Sequence, residues 1–115
     1  LAVNGADRWT DSGIFVGVGD ELTISATGSI TFSDNNADIA DPKGARDGRK
    51  AAGAPLPNSP VGQLIARIGN AEPFAVGAGT TIRVPRAGRL YFGVNDDHFP
   101  DNNGSFQLSV TLNRP

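Results

Sequence analysis

The chain has no cysteine and no methionine among its 115 residues. Without thiols it can form no disulfide, no thiolate zinc site and no cysteine nucleophile. Positive charge is not in excess either. Ten lysines and arginines against 12 aspartates and glutamates leave a net charge of −2. No basic stripe appears, which removes the electrostatic case for nucleic acid or an anionic membrane as a partner. No apolar run approaches the roughly 18 residues that span a bilayer. A leader segment is absent as well, which fits a processed chain or a domain excised from a longer protein. No window of eleven or more residues carries a helical period. A helical core is excluded.

What is present is turn chemistry and alternation. Glycine and proline number 15 and 8, well above their usual combined share of roughly 12%. In Glu21–Thr27, Leu22, Ile24 and Ala26 fall on one face, the period-two signature of a half-buried strand. Gly28 is expected to bend this strand into a second one, Ser29–Phe32. Further strands are expected at Gln63–Ile68, Thr81–Val84, Leu90–Val94 and Ser105–Leu112, with weaker signals at Ala2–Val3 and Ile14–Val16. About eight short strands separated by turn signals predict an all-β fold, a two-sheet antiparallel β-sandwich of jelly-roll, galactose-binding-domain-like type. We expect one domain over 1–115. It should carry a long loop at about 33–60, whose Ala54–Pro60 end should be extended and semi-rigid.

The densest polar stretch is Asn95-Asp96-Asp97-His98-Phe99-Pro100-Asp101-Asn102-Asn103-Gly104-Ser105-Phe106, placed between two alternating segments. Three readings compete for it. Catalysis is the weakest, because His98 and its neighbouring aspartates follow one another along a loop and no Gly-x-Ser-x-Gly elbow exists. We expect no enzyme. A cation site suits the oxygen-rich side chains: calcium takes about six to eight oxygens at roughly 2.3–2.6 Å, and it relieves repulsion among crowded carboxylates. A plain solvated loop is the third reading, since Asp, Asn and Gly form turns with their own backbone.

At this loop the chain resembles the bacterial PA-I-type galactophilic lectins and related domains of secreted bacterial proteins. The resemblance runs through residues 8–30 (RWTDSGIFVGVGDELTISATGSI), 41–44 (DPKG), 60–77 (PVGQLIARIGNAEPFAVG) and 90–110 (LYFGVNDDHFPDNNGSFQLSV), leaving out much of 33–59. It implies a β-sandwich holding one Ca²⁺ that takes two sugar hydroxyls directly. On the matching positions it implies Asp96, Asp101 and Asn102 as side-chain ligands, with backbone carbonyls from Phe32 and His98. Asp101 stands where the lectins have asparagine, and Ala45–Lys50 keeps neither the histidine nor the glutamine that grips galactose in them. The resemblance therefore implies a secreted, calcium-dependent carbohydrate-binding domain for a galactoside or another glycan, because the galactose specificity itself does not carry over. Asp96, Asp97, His98, Phe99 and Asn102 would face the sugar. The alternative is a structural or protein-interaction module of a larger secreted protein, in which calcium only locks the loop. Trp9 is expected in the core, Phe99 either on the sugar or plugging the loop, His98 exposed, Arg46, Arg49 and Lys50 solvated, and Asp11 in a turn.

Overall fold

A computed structural model describes residues 1–35 and 37–114. Its ten strands, in chain order, are β1 (Ala2–Asn4), β2 (Trp9–Val16), β3 (Glu21–Thr31), β4 (Ile39–Asp41), β5 (Gly44–Ala45), β6 (Leu64–Ile68), β7 (Phe74–Ala75), β8 (Gly79–Arg83), β9 (Gly88–Val94) and β10 (Asn103–Asn113). All pairings are antiparallel. One sheet has the order β1-β10-β3-β4-β5, with β8 sharing the β4 edge of β3; the other has the order β2-β9-β6-β7. No helix occurs among the described residues.

The alternation read from sequence decides what each sheet buries. Along β3, Leu22, Ile24, Ala26 and Ile30 are buried, and the same face continues to Phe32. From β10 come Phe106 and Leu108, and from the second sheet Leu64, Ala66, Ile68, Leu90, Phe92 and Val94. These inner faces interdigitate into one apolar core, the arrangement of an antiparallel β-sandwich.

Some local expectations change. Gly28 does not divide two strands: β3 pairs with β10 without interruption from Glu21↔Asn113 to Thr31↔Asn103. Gly28 has φ +103°, and a Cβ there would stand 2.8 Å from the Ser105 carbonyl. Glycine thus allows the close approach of β10 without ending the ladder. Within the expected loop at 33–60, β4 forms by pairing onto β3 and β5 by pairing onto β4. Its Ala54–Pro60 end is turned rather than extended, with hydrogen bonds from the Ala54 N–H to the Ala51 carbonyl and from the Ser59 N–H to the Leu56 carbonyl.

Candidate functional site

The long antiparallel ladder of β3 and β10 carries the acidic loop to one end of the sandwich. Thr31 pairs with Asn103, so Phe32 and Asn102 each lie one residue beyond the last ladder pair. The β9 strand ends at Val94, and Asn95 leads directly into Asp96.

Asn95 anchors the loop from beneath. It is fully buried, and its side chain reaches the 56–60 segment. Its Oδ1 accepts the Leu56 N–H at 2.8 Å, while its Nδ2 donates to the carbonyls of Leu56, Ser59 and Pro60 at 2.9, 3.2 and 3.1 Å. Its backbone extends the β6–β9 pairing, taking the Gly62 N–H on its carbonyl and donating to Gln63. A Cβ on Gly53 would lie 3.3 Å from that of Asp97, so the two loops meet there too. Neither partnership has a local sequence signal; the asparagine reads as one more turn former.

Asp96 is 3% exposed. Its Oδ1 accepts the N–H groups of Asp97 at 2.8 Å and His98 at 3.3 Å, which folds the loop around it. Its Oδ2 accepts from Asn102 Nδ2 at 2.8 Å. That same amide nitrogen donates to the Gly5 carbonyl at 2.8 Å, tying the N-terminal segment to the loop. Burial pushes the Asp96 carboxyl above the ordinary carboxylate range, opposed by the bonds from Asn102, Asp97 and His98.

Two oxygens of the same loop have no donor. Asn102 Oδ1 and Asp101 Oδ1 are both buried and unpartnered. Neither the Phe32 nor the His98 carbonyl accepts a hydrogen bond among the described residues. A buried acceptor without a partner costs on the order of 1–3 kcal/mol, and a hard cation is the group that satisfies several oxygens together. Among the described residues no three His, Cys, Asp or Glu side chains cluster as a metal site. A cation here would therefore draw on amide and backbone oxygens as well as the two carboxylates, and an all-oxygen set does not suit zinc.

The remaining expected residues separate. Asp97 and His98 are exposed, with His98 Nε2 lying 4.0 Å from Asp101 Oδ2. Phe99 is corrected: it is 7% exposed within the core cluster, and the Arg8 guanidinium covers its ring at 4.7 Å. It plugs the loop onto the sandwich and leaves no face for a sugar. Trp9 is corrected as well. It is half-buried on the outer side of the second sheet, because its ladder partner Gly93 leaves room for the ring to lie flat. Asp11 forms the expected turn, accepting the Gly13 N–H at 2.9 Å.

Across the Phe32 end lies a shallow pocket of about 190 Å³ lined by Phe32, Ala37, Asp38, Ile39, Arg46 and Asp47. Arg49 braces it, bonding Asp47 at 2.7 and 3.0 Å and Asp38 at 3.0 Å, with its guanidinium 5.2 Å from the Phe32 ring centroid. Arg49 is therefore committed within the loop rather than free for a ligand, whereas Arg46 and Lys50 are exposed.

With this geometry in place, comparison with known proteins is informative. Lectin A of Photorhabdus laumondii subsp. laumondii is 31% identical over 114 residues, spanning 93% of this chain and 84% of that protein. The chain belongs to this lectin family. Among solved structures, the N-terminal domain of EclA, described as a PllA-like lectin, aligns with a TM-score of 0.80 and 26% identity over 97% of this chain and 93% of that one. The two-sheet sandwich is thus a lectin fold. No protein-family profile matches the chain.

Proposed function

We propose that this lectin-family chain is a non-catalytic carbohydrate-binding module that holds a Ca²⁺ in its 95–102 loop. Asp96, Asp101 and Asn102 supply side-chain oxygens, and Phe32 and His98 supply carbonyls. The observation that carries the reading is the pair of buried, donorless oxygens on Asp101 and Asn102 in the same loop as the buried Asp96 carboxylate, which Asn102 contacts. Asp101 Oδ1 and Asn102 Oδ1 lack a donor, and the buried Asp96 carboxylate, though hydrogen-bonded, has no counter-charge bonded to it among the described residues; one divalent ion supplies both. A calcium ion with open coordination positions exchanges water for vicinal sugar hydroxyls, and the ligating Asp96 can accept a sugar O–H bond. Exposed Asp97 and His98 form the rim, while the pocket at Arg46 and Asp47 has room for the rest of the saccharide. The natural setting is outside the cytoplasm, where calcium-binding modules work with dissociation constants of roughly 10⁻⁴–10⁻³ M.

A second reading has its own support. Asn102 also ties Gly5 to the loop, so a cation could serve only to lock the N-terminal segment and the loop together. Calorimetric titration with saccharides, in calcium and then in excess chelator, separates the two. Saccharide heats that vanish with chelator and in Asp96→Ala support the sugar-binding reading. Calcium binding with no saccharide bound at millimolar concentration leaves the structural role alone.

A further inference from the structure

The outer face of the four-stranded sheet holds one charged group that the rest of the fold does not use. The ladder aligns Trp9 with Gly93 and Gly93 with Ile65, then Asp11 with Tyr91 and Tyr91 with Arg67. Residues two apart along a strand share a face, and their neighbours Phe92, Leu64 and Ala66 fill the core. Trp9, Tyr91 and Arg67 therefore project outward together. A Cβ at Gly93 would stand 2.8 Å from the Trp9 ring, so the indole rests on bare backbone. The Arg67 guanidinium lies 4.7 Å from the centroid of the Trp9 ring and 4.7 Å from that of Tyr91.

Arg67 is held by rings alone. It has no salt bridge among the described residues, and its Nε is buried without an acceptor. The other charges on this face, Asp11 and Arg89, pair with each other at 3.3 Å. A guanidinium presents about five donors in a planar fork and accepts nothing. Here the fork has already lost its rotamer freedom, yet no carboxylate among the described residues meets it. That is a preorganised receptor for a planar two-oxygen anion.

We propose that Arg67 is the anchor of a second, cation-independent subsite that binds the carboxylate of a sugar acid. The fork takes both carboxylate oxygens, and the edges of Trp9 and Tyr91 supply apolar contact for the pyranose ring. The choice of a sugar acid over other carboxylates rests on membership of the lectin family; the subsite itself does not depend on the calcium loop. Tyr91 lies on β9, which ends at Val94 two residues before Asp96; five residues of extended chain span at most roughly 17 Å at about 3.3 Å per residue, so a single oligosaccharide can reach both places.

Trp9 is the only tryptophan, so its fluorescence reports on this site directly. Sodium glucuronate titrated into chelator-treated protein should change that fluorescence saturably in the millimolar range. Glucose and sodium acetate at equal concentration should not. Arg67→Gln should lose the response, and Arg67→Lys, which keeps the charge but not the fork, should weaken it about tenfold, the equivalent of one charge-assisted hydrogen bond. In the wild type the Arg67 Nε–H resonance should shift with the same midpoint, a readout that needs no variant to fold. No saturable change with glucuronate, an equal response to acetate or glucose, or a response retained in Arg67→Gln would overturn the proposal. A response that requires calcium would overturn it too, by placing the ligand at the other loop. None of these failures would touch the calcium reading.

Discussion

Replacing Asn95 by alanine should loosen the 54–60 segment from the base of the acidic loop. The side chain is fully buried and meets four backbone groups at 2.8 to 3.2 Å. Its two amide hydrogens serve three carbonyls, so the net loss is about three hydrogen bonds of about 1 kcal/mol each, or about 3 kcal/mol. For a chain of this size that corresponds to a fall in Tm of roughly 10–15 °C. Asn95→Asp is the sharper variant. It keeps the shape and the acceptor for Leu56 but turns an oxygen toward three carbonyl oxygens, so it should cost at least as much as alanine near neutral pH. Urea unfolding followed by circular dichroism measures both. If either variant lies within about 1 kcal/mol of the wild type, this hydrogen-bond accounting is wrong, because a lost buried network ranks among the costly mutations.

Gly93→Ala should destabilise the protein by about 1–3 kcal/mol and shift the Trp9 emission, because the new methyl would stand 2.7 Å from the Arg8 carbonyl and 2.8 Å from the indole; an unchanged spectrum and Tm would contradict the flat seating of that ring. Calcium affinity should fall on acidification. The raised Asp96 carboxyl takes up its proton above the pH at which an ordinary aspartate does, and the protonated form is a poor ligand. In the free protein the same shift has the opposite sign: its contribution to stability is complete below the unfolded-state value and is lost as pH rises through the folded one. Calorimetry on stepwise acidification checks the first statement, and affinity that stays flat down through the ordinary carboxylate range would refute it.

The long strands were legible because burial imposes a period of two; β3 read as two pieces because Gly28 interrupts its buried row between Ala26 and Ile30, and β10 was recognised only from Ser105, where its alternation begins. β4, β5 and β7 are two or three residues long. No period exists in so few positions; they are strands only because an edge was there to receive them. The acidic loop was visible as composition, yet composition cannot say which oxygens lack donors. That emerges only when Asn102 commits its nitrogen to Asp96 and Gly5, leaving its oxygen alone. Trp9 was misplaced because an apolar ring at the start of a strand reads as core; the glycine that seats it lies 84 positions later on a neighbouring strand. The role of Asn95 was hidden for the same reason, since its partners stand 35 to 39 residues away.

The most direct test is a calcium titration of chelator-stripped protein, followed by calorimetry and by thermal unfolding in parallel. One ion should bind per chain, and at a hundred times its dissociation constant it should add about 2.7 kcal/mol of stability. Asp101→Ala and Asn102→Ala should each abolish most of that gain. Should the wild type give no heat and no rise in Tm even in ~10 mM calcium, well above the ~10⁻³ M end of the extracellular range, the donorless oxygens at the tip of this sandwich hold no such ion.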